Sequence, residues 1–221
     1  MKSWETNNVH ELFELLAGDW YGPNPEEKLD LLRHDKTERA KFLCQDAGLK
    51  KDMVVLELGS GIGFASRHIA SAVKQLACCD ISESFLSYAR KECADVPNIS
   101  FHKLGESPEL SFPAATFDAV IADAVFIHLN LFDIYWYFAE FAKVMKSDGT
   151  VWINIMNDAI IVREKVVENA ELYRKDRESL KTLLCWNSIA AVVEIAGYSG
   201  FSLIAKQPDG VNLNLRFRKQ G

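Results

Sequence analysis

The rhythm of apolar and polar positions changes along the chain, and the changes mark its elements. In "NVHELFELLAG", Val9, Leu12, Phe13 and Leu16 fall on one stripe at helical spacing, and Gly18 marks the stop. A loop follows in "DWYGPNPEE", punctuated by Gly22, Pro23 and Pro25. A second helical pattern covers Glu26 to Ala47, with a break expected near His34–Thr37 and Thr37 capping its second half.

After "GLKKD" the pattern becomes an alternation of apolar runs and helical stripes. The strands expected are "MVVLEL", "QLACCD", "NISFHKL", "TFDAVIAD" and "TVWINIM". The helices between them are "FASRHIASAV", "SESFLSYARKECA" with Ser82 as its N-cap, and "LFDIYWYFAEFAKVM". Helix follows strand repeatedly, which predicts a parallel sheet covered on both faces. The C-terminal part departs from this order. "DAIIVREKVVENAELYRKDRESLKTLL" is long, charged and helical, and "NSIAAVVEIAG" is a helix ending at Gly197. "GFSLIAKQ" and "VNLNLRFRK" flank the turn signal "PDG", which predicts an antiparallel hairpin.

Composition narrows the class. The 221 residues are 48% hydrophobic and 25% charged, which fits a soluble globular chain. No apolar run approaches the roughly 20 residues that cross a bilayer, so no membrane role is expected. The N-terminus has no signal-peptide layout. The five cysteines, Cys44, Cys78, Cys79, Cys93 and Cys185, are odd in number and lack C-x-x-C spacing. That argues against a disulfide framework or a zinc site, and for a reducing, cytoplasmic compartment. A net charge of −6 disfavours a nucleic-acid partner, and the basic end "LRFRKQG" is expected to be a solvated strand end.

The chemistry concentrates in "MVVLELGSGIGFASRHIA". Gly59, Gly61 and Gly63 stand at alternate positions between a strand and a helix, where a turn can bring backbone N–H groups against a ligand. The dinucleotide fingerprint G-x-G-x-x-G needs its third glycine one position later, where this chain has Phe64. Glu57, at the end of the first strand, would oppose a pyrophosphate but suits a cationic ligand.

"ELGSGIG" resembles the E/D-x-G-x-G-x-G loop of the class I S-adenosylmethionine-dependent methyltransferases. "CCDIS", "GESPELSFPAATFDAVIAD" and "VMKSDGTVWI" resemble, in order, that family's acidic second-strand end, its segment before the fourth strand, and the turn into its fifth strand. The resemblance implies a Rossmann-like, seven-stranded, mostly parallel sheet closed by an antiparallel C-terminal hairpin. It implies a methyltransferase domain over residues 37–221, a helical N-terminal cap over 1–36, and a helical insertion near the acceptor at 157–186. S-adenosylmethionine is the implied cofactor and S-adenosylhomocysteine its product.

The resemblance also assigns residues. Glu57 and the backbone of Gly59, Ser60, Gly61 and Gly63 would line the methionine and ribose part of the cofactor. Asp80 would accept from both ribose hydroxyls, and Ile81 would pack on the adenine. Glu106, where the family often has Asp, would accept the adenine amino proton, and Ser107 would offer its N–H to the ring. Ala122 and Asp123 would meet the methionine amine. His128, after the fourth strand, is a candidate general base, and also a candidate anchor for its loop. Trp20 and Tyr21, beside Gly22 and Pro23, suggest either a lid over a small-molecule acceptor or an anchor for the cap. The competing functions are a nicotinamide-dependent oxidoreductase and a non-catalytic cofactor-binding partner subunit.

Overall fold

The computed structural model describes residues 25–105, 107–160, 163–175 and 184–221. Seven strands among them form one mixed sheet in the order β3-β2-β1-β4-β5-β7-β6. The chain divides into two compact units, the first ending at residue 106 and the second beginning at Ser107.

The first unit starts with helix α1, Pro25–Asp46, which runs through His34–Thr37 without the expected break. The segment holds no glycine or internal proline to force one. Thr37 caps nothing; its hydroxyl donates to the Arg33 carbonyl one turn back, at 2.8 Å. The helix ends where Gly48 takes φ 68° and the Leu49 N–H reaches back to the Cys44 carbonyl at 2.9 Å. Leu32, Ala40 and Leu43 form its buried stripe. Strands β1 (Val54–Leu58), β2 (Gln75–Asp80) and β3 (Ile99–Lys103) pair in parallel, as the alternation predicts. Helix α2 (Phe64–Ala70) joins β1 to β2, and helix α3 (Glu83–Glu92) joins β2 to β3. Ser82 is the N-cap of α3, accepting from the Phe85 N–H at 3.1 Å.

In the second unit β4 (Phe117–Ala122) pairs in parallel with β5 (Met145–Met156). Phe117 stands opposite Met145 and Ala119 opposite Thr150, so the register shifts there and β5 carries extra residues between Met145 and Thr150, close to the expected turn. Helix α4, Leu131–Val144, connects them. Its aromatic run divides in two. Tyr137, Phe138 and Phe141 are buried, whereas Phe132, Tyr135 and Trp136 are exposed. Phe138 is the hub, with ring contacts to Phe126, Phe141, Phe201 and Phe217.

Helix α5 covers Arg163–Lys175 and helix α6 covers Ile189–Tyr198. The helix α6 runs through Gly197, and the left-handed stop falls instead at Gly200, with φ 82°. Strands β6 (Phe201–Asp209) and β7 (Asn212–Lys219) form the antiparallel hairpin, and β7 is also antiparallel to β5.

Candidate active site

In the first unit, β1 delivers Glu57 and opens straight into the glycine loop. Glu57 is 6% exposed and stands in register with Cys78 on β2. The Cys78 thiol donates to Glu57 Oε2 at 3.2 Å. Burial, then the Glu57 charge, push that thiol well above its ordinary range, which keeps the proton on sulfur. Cys78 and Cys79 are therefore core residues, as their strand position predicts.

Gly59, Gly61 and Gly63 have φ values of 77°, 55° and 86°, a region that L side chains rarely adopt. The N–H groups of Gly59 and Ser60 donate to the Cys79 carbonyl at 2.8 and 3.1 Å, and the Gly63 N–H donates to the Ser60 carbonyl at 3.1 Å. Gly63 meets a second demand. A Cβ there would lie 3.0 Å from the Ala89 Cβ and 3.2 Å from the Cys93 Sγ, so helix α3 leaves no room for one.

Asp80 closes the loop. Its Oδ2 accepts from the Gly61 N–H at 2.8 Å and its Oδ1 from the Ser82 N–H at 2.9 Å. The side chain is buried, and burial raises its pKa above the ordinary 3.8 against the pull of these two amides and of the Lys103 charge. Lys103 Nζ in turn donates to the Ile81 carbonyl. The Ile81 side chain is 41% exposed, directly after a strand that is otherwise covered.

These residues fit a nucleoside carrying a cationic sulfur. The Ser60 hydroxyl is buried and has no hydrogen-bond partner among the described residues, an unmet polar group beside the loop. An ionised carboxylate offers roughly four acceptor sites, more than the two amides at Asp80 use. The exposed Ile81 is an apolar surface for a flat ring.

In the second unit, Ala122 is fully buried at the end of β4, and Asp123 follows half-buried. Asn154, on the neighbouring β5, holds the corner. Its Nδ2 donates to Asp123 Oδ1 at 3.0 Å, and its Oδ1 accepts from the Ala124 N–H at 2.8 Å. His128 lies beyond, half-buried in a short 3-10 turn over Phe126–His128. That turn is clamped by Cys185 and Asn187. The Cys185 N–H donates to the Ile127 carbonyl at 2.7 Å, the Cys185 thiol contacts the His128 carbonyl at 3.5 Å, and Asn187 Nδ2 donates to the Leu129 carbonyl at 2.7 Å. Ser107 is exposed at the start of this unit. Trp20, Tyr21 and Glu106 lie outside the described residues.

The first unit thus brings Gly61 and Asp80 together directly and places Glu57 at the loop's entrance. Sequence reasoning overlooked Cys78 as a donor to Glu57, and it overlooked Asn154. The signal for Asn154 was available, a lone amide inside the apolar run "VWINIM". Among the described residues no cluster of three or more His, Cys, Asp or Glu is placed to hold a metal ion, and no helix is long and apolar enough to cross a membrane.

Residues 55–149 match a family model described as a methyltransferase domain. The chain is 30% identical over 106 residues to the demethylmenaquinone methyltransferase of Tropheryma whipplei (strain Twist), covering 48% of this chain and 43% of that protein. The chain therefore spans less than half the length of the curated relatives it matches. Among solved structures it is similar to magnesium protoporphyrin IX methyltransferase from Synechocystis PCC 6803, which holds bound SAH. That likeness has a TM-score of 0.65 at 16% identity and covers 95% of this chain and 94% of that one. It is also similar to a SAM-dependent methyltransferase from Aquifex aeolicus, with a TM-score of 0.60 at 17% identity over 81% of this chain and 88% of that one. At these identities the structural likeness concerns the fold. The domain match covers residues 55–149, and with the glycine loop and the strand order it supports a class I S-adenosylmethionine-dependent methyltransferase.

Proposed function

We propose that the chain transfers the methyl group of S-adenosylmethionine to a small-molecule acceptor. The observation that carries this reading is the left-handed glycine loop whose Gly61 N–H is tied to the Asp80 carboxylate, beside an unmet Ser60 hydroxyl. When bound, the cofactor supplies a methyl group already activated by the positive sulfur. The protein's task is then to align the partners and to exclude water, and alignment of this kind is worth about 7–11 kcal/mol in favourable cases.

Each residue has its part in the proposal. Glu57 and the loop backbone face the methionine and ribose, and Asp80 accepts from the ribose hydroxyls. Ile81, Glu106 and Ser107 meet the adenine, and Ala122 and Asp123 meet the methionine end. His128 takes a proton from the acceptor where the acceptor must lose one. The N-terminal cap, with Trp20 and Tyr21, and the insertion at 157–186 shape the acceptor side. The acceptors named for two relatives, demethylmenaquinone and magnesium protoporphyrin IX, support a small molecule here. A cytoplasmic location goes with this reading.

Calorimetry with S-adenosylhomocysteine and with NADH tests it. Binding of the former and no response to the latter are expected, and the reverse overturns the proposal. Incubating metabolite extracts with methyl-labelled S-adenosylmethionine then identifies the acceptor. Cofactor binding with no labelled product from any extract would favour a non-catalytic subunit.

A further inference from the structure

We infer that Asn154 is a positioning residue that fixes the Asp123 carboxylate to receive the cofactor's α-ammonium group. The inference rests on the reading above that Asp123 meets the methionine end. Asn154 is 1% exposed, and Val151, Trp152, Ile153, Ile155 and Met156 of the same strand are all buried. A carboxamide in such surroundings is costly unless its polar atoms are bonded. Both ends of this one are used, on neighbouring groups of the chain after β4. The Ala124 N–H can only donate and an ionised Asp123 can only accept, so the amide has one orientation that serves both.

The geometry also explains a backbone feature. Ala124 takes φ 57°, a left-handed conformation in a residue that carries a Cβ, and its N–H is the group that Asn154 Oδ1 holds. The turn directs the chain away from β4, and Asp123 sits at its first step. An apolar side chain at position 154 would remove the Asn154 bonds to Asp123 Oδ1 and to the Ala124 N–H together. Fixing a carboxylate before the ligand arrives removes an ordering cost from binding. The effect reaches only a ligand that carries the ammonium group.

That restriction gives the test. S-adenosylhomocysteine carries the amino-acid tail, whereas 5′-methylthioadenosine has the adenosine and sulfur without it. Calorimetry measures both ligands on the wild type, Asn154→Leu, Asp123→Ala and the double variant. Asn154→Ser replaces the leucine variant if that variant folds poorly. We expect Asn154→Leu to weaken S-adenosylhomocysteine by about tenfold or more, the scale of a charged hydrogen bond, with 5′-methylthioadenosine within about twofold of wild type. In the Asp123→Ala background the same substitution is expected to change neither ligand further. Equal weakening of both ligands, or a full second loss in that background, would make Asn154 merely structural and overturn the inference. So would a wild type that binds 5′-methylthioadenosine as tightly as S-adenosylhomocysteine, though the cofactor reading would then stand. A wild type that binds neither ligand would bring down the proposed function itself.

Discussion

The Asp80 carboxylate grips the glycine loop through the Gly61 N–H, with Oδ2 and the amide nitrogen 2.8 Å apart. The acid at the end of β2 is thus a structural partner of the loop at the end of β1, independently of any ligand. Asp80→Ala strands the Gly61 and Ser82 amides, and the expected loss of stability is about 1–3 kcal/mol by urea denaturation. Asp80→Asn keeps one acceptor oxygen and should lose less. Both substitutions should weaken S-adenosylhomocysteine by about tenfold or more, because a charged acceptor is lost in each. An Asp80→Ala protein with an unchanged unfolding midpoint would mean that the loop is held by other groups.

The raised pKa of Asp80 gives a pH signature. Burial is the leading cause, so the folded protein protonates this carboxyl at a higher pH than the unfolded chain, whose reference value is 3.8. Between those two values the native state binds more protons. Ionising Asp80 therefore costs the ligand-free fold some of its stability at neutral pH relative to the protonated form, and this cost is relieved as pH falls through the folded value. In the proposed site the ribose hydroxyls use the ionised form as their acceptor. Affinity for S-adenosylhomocysteine should therefore decline on acidification before the ordinary Asp range is reached. Calorimetry across a pH series checks this, with Asp80→Asn as the control whose profile lacks that step.

Much of this was legible in the sequence, for physical reasons that can be named. The glycines of "ELGSGIG" announce a backbone requirement, and three left-handed φ values meet it. The run "QLACCD" matches β2 residue for residue because a strand buried along almost its whole length shows as an uninterrupted apolar run closed by its acid. Helix α1 was harder. His34–Thr37 is polar enough to suggest a break, but polarity on an exposed helix face interrupts no backbone hydrogen bond. The end of α6 falls at Tyr198, one residue beyond the expected Gly197, and the left-handed turn follows at Gly200. Asn154 stands out in the sequence as a lone amide in an apolar run, but its bonding partners do not. Its meaning lies in Asp123 and Ala124, which are 30 residues or more away along the chain.

Gly63 offers a test that separates strain from crowding. Gly63→Ala must hold φ near 86° and also place a methyl 3.0 Å from the Ala89 Cβ. Gly200→Ala meets a similar backbone demand, φ 82°, with nothing within 4 Å of the new carbon. The second variant should lose about 1–2 kcal/mol from conformation alone. The first should lose an additional 1–3 kcal/mol, roughly, from overpacking against α3. Urea denaturation of the two proteins compares them directly. Equal losses would show that α3 shifts to accept the methyl.

His68 ties α2 to α1, with its Nε2 2.9 Å from the Thr37 hydroxyl. That hydroxyl's proton is committed to the Arg33 carbonyl, so the imidazole donates from Nε2. Burial, then the charges of Arg67 and Lys41, lower its pKa below 6.5. The unfolded chain therefore takes up a proton first as pH falls, and the neutral-ring contribution, full above 6.5, is lost below it. His102, also lowered by burial, adds in the same direction. His68→Gln should flatten the decline in stability between neutral and mildly acidic pH. Thermal unfolding of the two proteins at several pH values measures it, and parallel curves would remove His68 from the account.

The cysteines should differ in reactivity according to burial. Thiolate is the attacking species, so both a raised pKa and a covered sulfur slow alkylation. Cys79 and Cys93 are buried and pushed up to about 12, chiefly by desolvation, and Cys78 is driven well above its usual range. Cys44 and Cys185 are also raised by burial, but each is only partly covered. Iodoacetamide labelling of the native protein, mapped by mass spectrometry, should mark Cys44 and Cys185 slowly and the other three only after unfolding. Labelling at Cys185 is informative twice over. Its thiol contacts the His128 carbonyl and its N–H holds the Ile127 carbonyl. Opening of the clamp on the turn should therefore set its rate. Raising denaturant below the global transition should accelerate Cys185 before Cys78, because local opening needs less free energy than unfolding of the sheet. Simultaneous acceleration of both would mean that the clamp opens only when the whole fold does.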